Sequence, residues 1–211
     1  MLLVIGGEKG GSGKSCIAQN LAVWLVHQGH DVLLLDADPQ GTTAAWASER
    51  AAHGKLTDIA VEHATGDIRK ILIDRAKRYE MIVVDAGGAD SVALRSAMTV
   101  ATHMLVPFRP KRRDLRTLPN IEEMVTLAKT VNPDITVRAL ITQAPALPSQ
   151  IQRILDAKET CRSFGIEPLS VFTTSRNIYD DADEDGASVL ELGTDPKASE
   201  EIRQIAHELW S

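Results

Sequence analysis

The 211-residue chain has only two cysteines, Cys16 and Cys161, far apart and outside any Cys-x-x-Cys pair or histidine cluster. That pattern argues against both a disulfide framework and a cysteine-ligated zinc site. Two reduced, structural thiols in a cytoplasmic protein are expected instead. Aromatics are scarce at 4%, and Lys plus Arg (23) are outnumbered by Asp plus Glu (29), giving a formal charge of -6. Such a balance carries no global signature of nucleic-acid binding, so any basic surface must be local. No apolar run approaches the roughly 20 residues that cross a bilayer. The opening MLLVIGGEKGG lacks a basic leader and a long apolar centre, so it reads as a first strand and not as a secretion signal. Repeats, low-complexity tracts and Pro/Ser-rich linkers are absent as well. With 44% hydrophobic residues, one domain over residues 1–211 is expected to bury a single sizeable core.

Short runs rich in Val, Ile and Leu alternate with longer segments of helical period, the pattern of parallel strands covered on both faces. Strands are expected at Leu2 to Ile5, Val32 to Leu35, Met81 to Val84, His103 to Pro107, Ile135 to Ile141 and Pro168 to Phe172, with a weaker one at Ile59 to Glu62. Helices are expected at Ser15 to Gln28, Gly66 to Ala76, Ser91 to Ala101, Leu115 to Val131, Ser149 to Phe164 and Ala198 to Trp210. Gly29 and Pro133 supply stop signals after two of these helices. The acidic run DDADED, Asp180 to Asp185, reads as solvated surface. The fold class is therefore α/β: a mostly parallel, twisted sheet flanked by helices on both faces.

Between the first strand and the first helix lie Gly10, Gly11, Ser12, Gly13, Lys14 and Ser15. Glycines there let backbone N–H groups turn inward around phosphate oxygens, and the helix N-terminus adds partial positive charge. Lys14 would neutralise the β- and γ-phosphates of ATP, and the Ser15 hydroxyl would ligate Mg2+. Cys16 follows directly and belongs to the same nucleotide-contacting run. The first glycine of the general phosphate-loop pattern is missing, because Glu8 stands in its place.

Three carboxylates complete the constellation. Asp36 and Asp38 alternate at the end of the second apolar run, where ligands bind in open α/β sheets. Carboxylates beside phosphates repel them unless Mg2+ or a proton-accepting role compensates. Asp38 is assigned to orienting the attacking water, and Asp36 to the Mg2+ water shell and to Lys14. The alternative, that an acid only caps the segment that follows, holds for one of them but not comfortably for both. Met81 to Val84 then runs into Asp85, an apolar strand leading to a carboxylate that would hold Mg2+ through water. Gly87 and Gly88 beyond it would provide a mobile switch.

Lys9-Gly10-Gly11-Ser12-Gly13-Lys14-Ser15 resembles the deviant Walker A motif of ParA/MinD ATPases, in which the glycine before the signature lysine is often absent. Asp36-Ala37-Asp38-Pro39-Gln40-Gly41 is similar to the D-x-D-P-Q-G segment of the same family. The resemblance continues through VPFRP with Asp114, through LITQ ending at Gln143, and through Arg176, Tyr179, Ala182, Gly186 and Val189 at the spacing of a C-terminal family stretch. It implies a P-loop NTPase fold of the SIMIBI type and a weak, partner-stimulated ATPase. Lys9 would reach across a two-fold interface to the nucleotide of the other subunit, so that ATP drives a homodimer or a higher-order polymer. Gln143 is the candidate adenine contact. The compact layout, with the first strand at Leu2 and no expected DNA-binding extension ahead of it, looks most like small plasmid-partition ParA proteins of the ParF type. A ParB-like centromere-binding protein is the implied partner, and plasmid partition the implied role, with positioning of a chromosome or protein cargo as the alternative.

Arg109, Lys111, Arg112, Arg113 and Arg116 form the densest basic cluster of an otherwise acidic chain. With Arg176 they are the expected contacts to nonspecific DNA, a state that would place the ATP-bound protein on the nucleoid. The same cluster also suits a solvated helix start or a partner-binding face. A MinD-like membrane cycle would need a basic amphipathic terminal helix. Here Ile202, Ile205, Ala206 and Leu209 fall at helical spacing opposite Glu200, Glu201 and Glu208, so a core-packing helix and no stable membrane association are expected. Lys9 argues against amide-forming ligases of the same fold, and the cysteine positions argue against a cluster-binding reductase.

Overall fold

Seven strands lie in the order β3-β2-β4-β1-β5-β6-β7 in the computed structural model, which describes residues 1–88 and 91–210. In chain order they are β1 (Leu2–Gly7), β2 (Val32–Asp36), β3 (Ala60–His63), β4 (Met81–Gly88), β5 (His103–Phe108), β6 (Thr136–Ala144) and β7 (Glu167–Thr174). Every neighbouring pair is parallel. The helices are α1 (Lys14–His27), α2 (Thr42–His53), α3 (Arg69–Arg75), α4 (Val92–Met98), α5 (Arg112–Leu115), α6 (Leu118–Val131), α7 (Ile151–Ser163), α8 (Ile178–Glu184), α9 (Val189–Leu192) and α10 (Pro196–Trp210). No helix of the described residues is long and apolar enough to cross a membrane.

Side chains of a strand alternate between faces, so each central strand feeds two cores. Leu2, Val4, Leu33, Leu35, Ile82 and Val84 pack with residues of α3, α4, α6 and α7. Leu3, Ile5, Val32, Leu34, Met81 and Val83 pack with residues of α1, α2, α9 and α10. The final helix behaves as expected: Ile202, Ile205, Ala206 and Leu209 are buried. Its acids do more than face solvent, however. Glu208 accepts from the Ser170 and Val171 amides of the edge strand β7 and pairs with Arg138. Such capping blunts an exposed sheet edge.

All the expected strands and helices form, with the short helices α5, α8 and α9 and the longer α2 in addition. α2 escapes a hydrophobic-period reading because its buried face is Thr43, Trp46 and Arg50. Arg50 is buried because it forms a bidentate pair with Glu191 at 2.8 and 2.6 Å and donates to the Gly186 carbonyl at 3.1 Å. The acidic run is also corrected in part. Asp180 to Glu184 lie in α8, Ala182 is buried, and only part of the run is plain solvated surface. β4 extends past Val84 to Gly88, so Asp85 lies within the sheet and not beyond its end.

Candidate nucleotide site

The C-terminal ends of β1, β2 and β4 meet the N-terminus of α1, and the phosphate loop spans that junction. Gly13 caps α1 in the left-handed region at φ 86°, and Gly11 is also left-handed at φ 71°, conformations that glycine adopts without a Cβ penalty. Loop carbonyls are tied to the end of β6, two strands from β1. The Thr142 hydroxyl donates to the Ser12 carbonyl at 2.8 Å and the Gln143 side-chain amide to the Gly11 carbonyl at 2.9 Å. Pinning carbonyls this way leaves the loop N–H groups to face an anion. Gln143 holds its post at a backbone φ of 49°, strained for a residue with a Cβ.

Lys14 is buried, and its ammonium donates to the Lys9 carbonyl at 2.9 Å, which the Ser12 hydroxyl also approaches at 3.2 Å. Burial lowers its pKa; Asp85 and Asp38 work in the opposite direction, and the nearby Arg109 adds to the lowering. The parallel register sets Asp36 beside Asp85. Asp85 is 1% exposed, and burial pushes its carboxyl up to about 6, against the lowering influence of Thr43, Ser15 and Lys14 and with a further push from Asp36. Thr43 donates to its Oδ2 at 2.7 Å, whereas Oδ1 is buried with no protein partner among the described residues. An orphaned carboxylate oxygen next to a second carboxylate and a serine hydroxyl is what a hydrated divalent cation would satisfy. Ser15 and Asp85 lie together here; Asp36, expected in the Mg2+ water shell and beside Lys14, is in register with Asp85 but has both carboxylate oxygens on backbone amides.

The structure divides the two aspartates of the second strand. Asp36 spends both oxygens on backbone amides, Oδ1 on Asp38 at 3.0 Å and Oδ2 on Ala44 at 2.8 Å, so it anchors the loop before α2 and is the capping acid of the pair. Asp38 lines the cleft and packs over Gly87, where an added Cβ would lie 2.8 Å from its carboxyl carbon. Its Oδ1 accepts from the Gln40 amide at 2.9 Å. A Cβ on Gly88 would lie 3.3 Å from the Gly10 amide nitrogen and 3.5 Å from the Lys14 ammonium. The residues after this glycine pair, Ala89 and Asp90, lie outside the described residues.

Two adjoining chambers open onto the loop. One, of about 280 Å³, is lined by Gly10, Gly13, Lys14, Ser15, Asp38 and Thr42 among others. The other, of about 300 Å³, is lined by Thr142, Gln143, Thr173, Thr174 and Arg176. Gly11, Gly13, Cys16, Tyr179 and Asp180 border both. A phosphate chain and a nucleoside fit this division of polar loop and mixed wall. Cys16 thus touches the expected site, and burial beside Asp183 and Asp180 pushes its thiol up to about 12, away from any nucleophilic role. Thr43 joins the site without standing out in the sequence, Thr142 stands there only as part of LITQ, and Asp180 only as the start of an acidic run read as solvated surface.

The expected DNA cluster is split. Lys111, Arg112, Arg113 and Arg116 are exposed, and Arg153 of α7 joins Lys111, Arg112 and Arg116 around an open groove. Arg109 lies elsewhere, clamped on the buried Asp114 at 2.7 and 3.0 Å beside the phosphate loop. Arg176 is likewise committed, to Glu201 and Asp195, and Tyr179 donates to Glu201 at 2.8 Å. These two arginines belong to the nucleotide cleft and its rim, not to the exposed basic patch.

A family model described as the CobQ/CobB/MinD/ParA nucleotide binding domain matches residues 3–167. Maintenance of carboxysome distribution protein A from Gloeobacter kilaueensis is 32% identical over 205 residues, covering 95% of this chain and 90% of that protein. Protein ParA from Rhizobium radiobacter is 31% identical over 116 residues, 54% of this chain and 50% of that one. Among solved structures, a Cyanothece McdA–ATP complex superposes with a TM-score of 0.79 over 99% of this chain and 95% of that chain, at 16% identity, a likeness of fold.

Proposed function

Because this chain belongs to the CobQ/CobB/MinD/ParA nucleotide-binding family, as a ParA/MinD-type ATPase, we propose that it is a Mg-ATP-dependent positioning ATPase. It dimerises around two nucleotides, holds DNA without sequence preference in that state, and releases it after partner-stimulated hydrolysis. One observation carries the reading. Lys14 lies buried in the phosphate chamber and takes the Lys9 carbonyl, whereas the Lys9 side chain is not among the residues lining that chamber. A cation placed beside its own cleft but outside it suits a ligand presented by a second copy.

Within the cleft, Gly10 to Gly13 and Lys14 would bind the phosphates, and Ser15 and Asp85 would hold Mg2+, with Asp36 fixing the loop that carries Asp38. Mg2+, when bound, supplies the positive charge that lets phosphates and these carboxylates share one site. Asp38, aligned by the Gln40 amide, would orient the attacking water. Gln143 and Thr142 keep the loop open to the anion while bordering the nucleoside chamber.

A protein assembly is the cargo favoured by the relative that is 32% identical over a match covering 95% of this chain and is named for carboxysome distribution. Plasmid partition with a ParB-like partner is the second reading, favoured by the ParA match over 54% of the chain. Either way the exposed groove of Lys111, Arg112, Arg116 and Arg153 is the DNA-holding surface, doubled by dimerisation. Co-sedimentation with nonspecific DNA in ATP, ADP and no nucleotide tests the shared core. Retention is expected with ATP alone; equal retention in all three conditions would refute an ATP-controlled switch. Purification of the tagged protein from its native cells then separates the cargo readings by what the ATP-trapped form brings down, a protein assembly or a plasmid.

A further inference from the structure

We propose that Arg109 is a second cation delivered across the dimer face, acting with Lys9 on the triphosphate held by the other copy. The inference rests on the dimeric reading above and adds a residue to it. Arg109 follows β5 and leans over the phosphate loop. An added Cβ on Gly11 would lie 3.4 Å from its Nη1. Nε and Nη2 of the guanidinium are spent on Asp114, at 2.7 and 3.0 Å, and the Arg109 amide also points at that carboxylate at 3.3 Å. Nη1 is left over, on the side of the loop.

Two features argue for a ligand beyond the chain itself. Arg109 and Lys9 both lie at the loop, yet neither is among the residues that line either chamber of its own cleft. Gly10 and Gly11, which they flank, are exposed. The supporting carboxylate is also unusual: Asp114 is 1% exposed, and a buried ion pair is a poor device for stability alone. What such a pair does well is fix a guanidinium plane. Here it holds the remaining N–H groups in one direction, beside a loop built for phosphate.

The test measures ATP-dependent dimerisation by sedimentation equilibrium with a non-hydrolysable ATP analogue, alongside ADP affinity of the monomer, for Arg109→Ala, Arg109→Lys and Lys9→Ala. For Arg109→Ala the dimer dissociation constant should rise about tenfold or more, with monomer ADP affinity within about twofold, as loss of one charge-assisted contact in trans predicts. Arg109→Lys keeps a cation beside Asp114 and so guards the fold; an intermediate dimer constant is expected. Equal weakening of monomer ADP binding would make Arg109 a cis residue and overturn the proposal. So would normal dimerisation with a loss confined to DNA retention, which would return Arg109 to the DNA surface. If Lys9→Ala abolishes the dimer and Arg109→Ala does not, the Arg109 inference alone fails; if the unaltered protein does not dimerise with the ATP analogue, the dimeric reading fails with it.

Discussion

The Lys14 ammonium donates to the Lys9 backbone carbonyl at 2.9 Å, so the buried lysine of the loop is positioned by the main chain of the other one. The two side chains are thereby given different roles. Lys14→Ala should lower ATP and ADP affinity alike by more than about tenfold, since a charged contact to phosphate is lost. Lys9→Ala leaves the carbonyl in place and should spare nucleotide affinity while abolishing ATP-dependent dimerisation. Titration calorimetry and light scattering on the two variants separate these effects. A Lys9→Ala protein that dimerises normally with ATP contradicts the division.

Asp85 makes a pH-dependent contribution of the unusual sign. Its folded pKa, about 6, lies above the ordinary value of 3.8, so the nucleotide-free native state binds more protons than the unfolded chain between those values. Stability should therefore fall as pH rises from about 4 to about 6 and level off above. Asp85→Asn keeps an oxygen for Thr43, removes the buried charge, and should stabilise the nucleotide-free protein at pH 7 by something on the order of 2 kcal/mol. Mg2+-dependent nucleotide binding should be lost in the same variant. Urea melts at pH 4.5 and 7 check the first point; a variant less stable than the parent at pH 7 rules it out.

Gln143 combines a strained backbone with a useful side chain. Gln143→Ala removes the bond to the Gly11 carbonyl and should weaken nucleotide binding about threefold to tenfold, the worth of one hydrogen bond in a loop. Gln143→Gly removes the bond and also the left-handed strain at φ 49°, so it should bind as weakly as the alanine variant while melting higher than it. Unchanged nucleotide affinity in both variants would deny the side chain any part in shaping the loop.

Gly186 is a structural counterpart, remote from the phosphates. Its φ is 63°, and a Cβ there would run into the Arg50 amide nitrogen, a backbone atom that cannot step aside. Gly186→Ala should cost about 3 kcal/mol or more by combining an unfavourable backbone region with overpacking. It would also disturb the Arg50–Glu191 pair and the bond from the Trp46 indole to the Ala187 carbonyl at 2.9 Å. A urea midpoint unchanged from the parent would show that this junction yields more easily than its geometry implies.

The exposed basic groove gives the last expectation. Charge reversal at Arg112 and Arg153 together should weaken ATP-dependent DNA retention and flatten its salt dependence, as fewer counterions are released, with ATP affinity unchanged. Retention with the original salt slope would place the DNA surface elsewhere.

The loop glycines, both lysines and the positions of the seven strands and of six helices, the terminal amphipathic one among them, were legible in the sequence. Each is a local pattern: a glycine spacing, a run of aliphatics, a period of 3.6. The helix α2 was not, because its buried face is Thr43, Trp46 and Arg50, and an arginine counts as buried only once Glu191 is beside it. Nor was the parting of Asp36 from Asp38, which share a motif but play different parts. One is held by the amides of Asp38 and Ala44, and the other faces the cleft. The basic cluster shows the same limit most plainly. Arg109 and Arg112 are close in the chain, yet the buried Asp114 draws one to the phosphate loop while the other stays in solvent. Residue type and spacing determined which chemistry this chain can perform; the parallel register and a handful of buried carboxylates decided which side chains are placed to perform it, because long-range pairing has no signature in local sequence.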